Sequence, residues 1–361
     1  MKDSFFQWLD RKYNKIYAVV TKVAYISITK KRSKGAPQLS KTEKSNIRKY
    51  WKEHYGKRVP LWEYKWYKKV GLKADPELIP DVIWHSKVEP FFNNLQLEKG
   101  FQDKNYFELI VGEKNSPQSI IHCINGQYLD HSYNPINEYD LATLFKKEKE
   151  YICKPSIDSG GGRGIQFIKG IELDKDKFKT FEKQYNLNYL IQSIIQQSSF
   201  MASFNESSIN SIRIVSFLHN GVVRILSSFL RIGNSGSKLD NVSGGGLFIQ
   251  VNNDGSFGSM PYKEELTTHD LVQAKVDNDI ERMFKQAIPN WNTILQVVKQ
   301  THYKLAHFGI INWDIALDYQ DTPIVIEYNI IDASTYFHQL NVGPIFGDLT
   351  TEVIEEIRNE H

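Results

Sequence analysis

The sequence is short of cysteine, of long apolar runs and of repeats, and each shortage removes a class of protein. Its two cysteines, Cys123 and Cys153, supply neither a disulfide framework nor a CxxC metal motif. A reducing cytosol is therefore the expected compartment. No stretch reaches the ~18–20 uninterrupted apolar residues of a membrane-spanning helix. The longest apolar run, Ile16 to Ile28, carries Lys22 in its middle and lacks a small-residue cleavage site after it, which argues against a signal peptide. No internal repeat and no low-complexity tract is visible.

What is present is an ordinary globular composition on an uneven charge distribution. With 361 residues, 41% hydrophobic and 24% charged, the chain is long enough for two or three packed lobes. The net charge of +3 conceals a basic front end. Residues 1–70 hold 19 Lys+Arg and 5 Asp+Glu, or +14, so the remainder carries −11. Such a front end favours an anionic neighbour: a phospholipid surface, a sugar phosphate linked to a nucleotide or lipid, or an acidic protein.

Residues 1–30 have the period of an amphipathic helix, with Phe5, Leu9, Tyr13, Ile16, Val20 and Val23 spaced by three or four. The apolar stripe predicts either an interfacial anchor or a helix packed on the protein's own body with a solvated basic face. A basic linker from Lys30 to Pro37 completes an N-terminal unit, 1–35. A helical subdomain is expected over 36–100, opened by the capping-box pair Ser40 and Glu43. Trp51, Trp62, Trp66 and Tyr67 supply its bulk. Aromatics interleaved with lysines can bind single-stranded nucleic acid, but these tryptophans are more simply core, so nucleic acid is not an expected partner.

Beyond residue 105 short strands dominate, among them 151–155, 165–168, 189–195, 211–217, 222–231 and 246–251. Asn220-Gly221 and Asp254-Gly255 supply hairpin turns. Helices are expected over 268–286 and 291–307, and a last strand pair at 312–317 and 324–328. The fold class is α+β with a long antiparallel stretch.

Two constellations carry chemistry. Lys154-Pro-Ser-Ile-Asp-Ser159-Gly160-Gly161-Gly162-Arg-Gly164 places a lysine on a strand ahead of a glycine-rich hairpin, whose backbone N–H groups can approach phosphate oxygens. No helix follows, so it is neither a Walker A loop nor a Rossmann fingerprint; taken alone it is equally a flexible turn. Asp314, Glu327 and Asn329 occupy two strands around a turn at Asp321. Glu327 and Asn329 project from one face because strand side chains alternate. Hard oxygen donors on such apolar strands suit Mg²⁺ bridging phosphates better than a solvated acidic hairpin. Between the two, Arg213 and Arg231 sit at strand positions from which they could neutralise a transferring phosphoryl group, or simply pair with a carboxylate. A second glycine cluster follows Asp240-Asn241.

In order along the chain, Lys104 in Phe101-Gln-Asp-Lys-Asn, the Lys154-Pro loop, Gln192, Ser208-Ile-Asn-Ser-Ile-Arg, Phe229-Leu-Arg-Ile-Gly, Asp240-Asn241 and Asn312-Trp-Asp-Ile-Ala through Glu327-Tyr-Asn329 resemble the motifs of the ATP-grasp superfamily, and more closely its sugar-transfer-associated branch. The resemblance spans roughly residues 40–345. It implies two α+β lobes clamping ATP. The catalytic core would occupy 101–361, with a glycine-loop lobe at about 140–195 and a metal-binding lobe at about 196–345. It implies Lys104, Lys154, Ser159 and Gly160–Gly162 on the phosphates, and Mg²⁺ on Asp314, Glu327 and Asn329. Gln192 departs from the glutamate usual at the hinge, so Gln196 or Gln197 is expected to share the nucleotide contacts.

The resemblance also implies carboxylate activation, with Arg213 and Arg231 catalytic. The expected function is an ATP-dependent carboxylate–amine ligase in surface polysaccharide assembly, taking small carboxylate and amine substrates, some sugar-linked. The alternatives are a sugar or alcohol phosphotransferase and a nucleotide-binding scaffold for a glycosyltransferase complex. The expected location is the cytoplasm, with an anionic membrane face as a candidate docking surface for the basic N-terminus.

Overall fold

The computed structural model describes residues 5–157, 159–234, 236, 245–265, 271–331 and 335–359; the side chains of residues 5–11 and of Ser259 fall outside that description. Asp240-Asn241 and Gly244, the first glycine of the cluster after them, lie outside the described residues, as do the side chains of Phe5 and Leu9.

The N-terminal region is helical: α1 (Phe5–Arg32), α2 (Lys41–His54), α3 (Leu61–Lys69), α4 (Asp81–Ile83), α5 (Glu89–Phe92), α6 (Glu98–Phe101) and α7 (Phe107–Val111), with a π turn at Trp84–Val88. The capping box forms as expected. The Ser40 hydroxyl accepts from the Glu43 amide at 3.0 Å, and the Glu43 carboxylate accepts from the Ser40 amide at 2.6 Å. Trp51, Tyr64, Trp66 and Tyr67 are buried, and the Tyr64 and Tyr67 hydroxyls donate to the carbonyls of Leu78 and Ile79 at 2.7 and 2.9 Å. These aromatics do not form a core of their own. They share one with Val215, Phe217, Phe229 and Phe248 and with Val353, Ile354 and Ile357, so residues 36–100 pack as a cap on a later sheet.

α1 packs on the body, but through the less apolar of its faces. Tyr25 stacks on His85 with ring centroids 3.8 Å apart, Trp62 donates to the Thr29 hydroxyl at 3.0 Å, and Arg32 pairs with Asp81 at 2.8 Å. Tyr13, Ile16, Val20 and Val23, on the apolar stripe that periodicity marks, face outward. The inward face wins because buried Asp81 and Glu63 need a cation, and Arg32 is the residue that reaches them.

A first sheet contains β1 (Ser119–Ile124), β2 (Gln127–Asp130), β3 (Glu150–Pro155), β4 (Gln166–Lys169) and β5 (Tyr189–Ser193), antiparallel in the order β2-β1-β5-β3-β4. Helix α8 (Lys175–Gln184) buries Phe178 and Phe181 against Ile121, Tyr151 and Ile191. This lobe begins earlier than the expected boundary near 140, because β1 pairs directly with β5.

After α9 (Ser199–Ala202), a larger sheet contains β6 (Ser211–His219), β7 (Val222–Ile232), β8 (Leu247–Val251), β9 (Phe257–Glu264), β10 (Leu271–Gln273), β11 (Ile310–Leu317) and β12 (Pro323–Asn329). Its order is β10-β9-β8-β7-β6-β11-β12, again antiparallel. Asn220 and Gly221 turn β6 into β7 with φ of 50° and 75°, as a two-residue hairpin requires. The helix expected over 268–286 is shorter. Leu271–Gln273 instead extends the edge of β9, and Asp277 caps α10 (Asn278–Met283) by accepting from the amides of Asp279 and Ile280. α11 (Trp291–Lys304) packs Ile294 and Val298 on Ile212, Ile214 and Trp313. α12 (Tyr336–Val342) and α13 (Thr350–Asn359) join the N-terminal helices on the opposite face.

Candidate active site

The strand register of the larger sheet assembles one half of the site. Arg213 on β6 lies opposite Asp314 on β11, and Asp314 lies opposite Glu327 on β12. Arg231 on β7 lies opposite Ser211, two residues before Arg213. Period-2 alternation therefore puts Arg213, Arg231, Asp314, Glu327 and Asn329 on one face. It is the face that carries Val215, Phe229 and Ile310 under the helical cap, continued beyond the cap's edge.

The contacts there are short. Arg213 grips Asp314 with two parallel bonds of 2.6 Å, and Arg231 approaches the same carboxylate at 3.1 Å while donating to the Ser211 hydroxyl at 2.7 Å. Burial pushes the Asp314 carboxyl upward, but the two guanidinium groups outweigh that and hold it below the usual carboxylate range. Asp314 is thus ionised inside the protein.

The first sheet supplies the other half. Lys154 ends β3 on the face opposite the α8 core, the side that also carries Gln192. Lys104 sits in a short turn after α6, and its amide donates to the Ser156 carbonyl at 2.9 Å, fixing it beside the glycine loop. Its ammonium then spans the two sheets. It donates to the Ser159 carbonyl and hydroxyl at 3.2 Å each and pairs with Glu327 at 3.2 Å. Lys154 is buried. Burial first, and the neighbouring charge of Lys104 second, pull its amine down to about 8 against the opposing pull of Glu327 and Glu108. Gly161 and Gly162 take φ of 63° and 78°, which only glycine adopts without strain, and the spaces beside Gly160 and Gly161 are open to a ligand.

Four cationic side chains thus converge on two carboxylates between the sheets. That surplus of positive charge suits a polyphosphate, and glycine-loop amides suit its oxygens. The donors also fit a hard divalent ion. Asp314, Glu327 and Asn329 present oxygens on one face, and the buried Asn312 Oδ1, opposite Asn329 in the ladder, has no hydrogen-bond partner. An orphaned buried oxygen in such a row is what a cation would satisfy.

The hinge residues behave differently from the rest. The Gln192 side chain is buried within its own lobe, donating to the Pro117 carbonyl at 3.3 Å and the Ser119 hydroxyl at 3.1 Å. Gln196 is exposed. Gln197 is committed to the backbone of Asn205, Ser208 and Asn210. Of the three, Gln196 has the most exposed side chain.

Two neighbours escaped sequence reasoning. Glu108, on α7, accepts from the Ser119 amide at 2.6 Å and acts electrostatically on Lys154. His338, on α12, is bonded to the Ser227 hydroxyl at 3.0 Å, and burial followed by Arg213 pulls its imidazole down to about 3. Neither lies in a recognisable motif; only the folded chain brings them to the site.

Two antiparallel sheets meeting over lysines, arginines, a glycine loop and a carboxylate row form the ATP-grasp arrangement. The chain belongs to the sugar-transfer associated ATP-grasp family, whose sequence profile matches residues 85–353. Comparison with curated proteins gives no match. Similar solved structures include an L-amino acid ligase from Bacillus licheniformis, at 14% identity over 81% of this chain and 53% of that one, with a TM-score of 0.39. A D-cycloserine synthetase is similar at 12% identity over 73% of each chain, with a TM-score of 0.41. An ATP-grasp ligase solved with Mg and ADP is similar at 10% identity over 74% and 62%, with a TM-score of 0.38. The chain spans about half the length of the amino acid ligase.

Proposed function

We propose that the protein is an ATP-dependent carboxylate–amine ligase. The observation that carries this reading is the convergence of Lys104, Lys154, Arg213 and Arg231 on Asp314 and Glu327 between two sheets. Lys104, Lys154 and the amides of Ser159 to Gly162 hold the phosphates, and Gln196 is the hinge side chain free to reach the nucleoside. Asp314, Glu327 and Asn329 would hold Mg²⁺, which would supply charge neutralisation for the phosphates. The substrate's carboxylate oxygen bonds to the γ-phosphorus as the bond to ADP breaks, giving an acyl phosphate. The amine nitrogen then bonds to the acyl carbon, phosphate leaves with the C–O electrons, and the nitrogen gives up a proton. Arg213 and Arg231 stabilise the negative oxygens in both steps.

The family's association with sugar transfer favours a sugar acid as carboxylate and an amino acid as amine, in cytoplasmic assembly of a surface polysaccharide. A glycosyltransferase complex would then be the neighbouring machinery. The test is to incubate the purified protein with ATP, Mg²⁺ and mixtures of uronic acids and amino acids, and to read products by mass. ADP, phosphate and an amide should appear only when both acceptors are present. ADP with a phosphorylated sugar and no amide would replace the ligase by a phosphotransferase.

A further inference from the structure

The outward face of α1 has no role in the ligase reading. Tyr13 is 52% exposed, Ile16 63%, Val19 62%, Val20 62% and Val23 64%. At 100° per residue these five fall within one stripe about a third of the way round the helix, running about 15 Å along its axis. The stripe is held in place rather than left to turn inward, because the opposite face is pinned by Tyr25 on His85, Thr29 under Trp62 and Arg32 on Asp81. Arg32 also lies 3.9 Å over the ring of Tyr336. Rotating α1 to bury the stripe would strip the cation from buried Asp81.

Charge identifies what the stripe meets. From Arg11 to Arg32 the helix carries seven basic residues and no acidic one. Lys15 and Lys22 border the stripe on one side, Lys12, Lys30 and Lys31 lie at its ends, and all five are exposed. The positive field extends into the body, where burial first and then Lys57 and Lys22 pull the Lys87 amine down. Apart from Tyr13 at one end, the stripe is small β-branched residues rimmed by lysine, unlike the clustered tryptophan, tyrosine and arginine anchors of protein interfaces. Apolar side chains at the acyl boundary and lysines at the headgroups are the arrangement of a helix lying in a membrane surface.

We propose that α1 docks the protein on an anionic phospholipid surface through Tyr13, Ile16, Val19, Val20 and Val23, with Lys15 and Lys22 on the headgroups. No helix among the described residues is long and apolar enough to cross a membrane, so the contact is interfacial. The proposal is independent of the ligase reading.

The test is cosedimentation of the full-length protein with vesicles of phosphatidylcholine alone or containing phosphatidylglycerol. Binding is expected to the anionic vesicles, with release by salt. The Val20→Glu/Val23→Glu variant should lose at least about tenfold in partitioning, with an unchanged melting temperature because both positions are exposed. Lys15→Ala/Lys22→Ala should bind less and depend less on salt. No binding to anionic vesicles at low salt overturns the proposal, as does equal binding by the double glutamate variant. A wild-type protein that self-associates without lipid and is made monomeric by the glutamates would assign the stripe to a second copy and overturn it too. A MgATP thermal shift retained in every variant keeps this outcome separate from that of the active site.

Discussion

The low amine pKa of Lys154 gives a testable pH dependence to nucleotide binding. In the unfolded chain its amine has the ordinary value of 10.5, and in the folded protein without ligand it falls to about 8. Burial is the larger cause and Lys104 the next. The difference corresponds to about 3 kcal/mol by which the pocket disfavours the ammonium form. Between pH 8 and 10.5 the unfolded chain binds more protons at this residue than the folded one, so its contribution to stability grows as pH rises through that window and is lost as pH falls to 8. A bound polyphosphate reverses the preference by restoring the charge partner that burial removed. Binding must then take up a proton whenever Lys154 starts neutral.

Above pH 8 the logarithm of the MgATP dissociation constant should climb toward a slope of about +1 per pH unit, and below about pH 7 Lys154 should contribute no slope. Phosphate's own second ionisation, near pH 6, lies outside the window. Calorimetry in buffers of different ionisation enthalpy should find about half a proton taken up per nucleotide at pH 8, and nearly one at pH 9. Lys154→Met should bind weakly with no slope, and Lys154→Arg should remove the slope because its guanidinium stays charged. A flat dissociation constant from pH 7 to 9.5 in the wild type would refute the placement of Lys154 on the phosphates. The same slope in Lys154→Met would assign the proton to another group.

MgATP at ~100 times its dissociation constant should stabilise the fold by about 2.7 kcal/mol, and ATP with a chelator by less; differential scanning fluorimetry reads both. Glu327→Gln should abolish turnover with little change in melting temperature, because Glu327 is partly exposed and its loss removes the Lys104 contact and a minor pull on Lys154. Retained turnover would move the metal elsewhere. Arg213→Ala should cost about 3 kcal/mol without nucleotide, because it leaves buried Asp314 with Arg231 alone, whereas Arg231→Ala should cost less since the two-bond Arg213 grip survives. Equal melting temperatures would deny that the two arginines differ in how they hold the carboxylate.

The site was legible where local spacing and strand alternation suffice. Asp314 and Glu327 were placed opposite each other by a hairpin whose turn at Asp321 shows in the sequence, and the ladder puts them there. The pairing of Arg213 and Arg231 with Asp314 was not legible, since it depends on β6 lying between β7 and β11 across a gap of about a hundred residues. Glu108 and His338 reach the site through packing of α7 and α12, which carries no local signature. The bonds of the Gln192 side chain were not legible, because a hinge position says only which strand a residue is on. It does not say that Ser119 and Pro117 will claim the side chain.

α1 shows the limit of periodicity most plainly, and a last prediction follows from it. A helical stripe establishes that one face is apolar, yet which face turns inward is decided by the partners available. Here buried Glu63 and Asp81 decide it. Asp81 accepts from Arg32 and from the Thr335 hydroxyl, each at 2.8 Å. The Glu63 carboxyl accepts from the Asp81 amide at 2.6 Å, and burial followed by Asp81 holds it well above the usual range. Deleting residues 1–35 removes the one arginine between two buried carboxyls, at a cost of about 3–5 kcal/mol. Such a truncation should melt well below the full chain, and Arg32→Met should reproduce much of the loss with the helix still present. A group whose folded pKa is raised loses its stabilising effect as pH rises through that value. The truncated protein should therefore lose more at high pH than at low pH, where a proton on Glu63 takes over part of the role of Arg32. If the truncation melts with the full-length protein at both pH values, α1 is not held by this pair, and the outward orientation of its apolar face has no anchor.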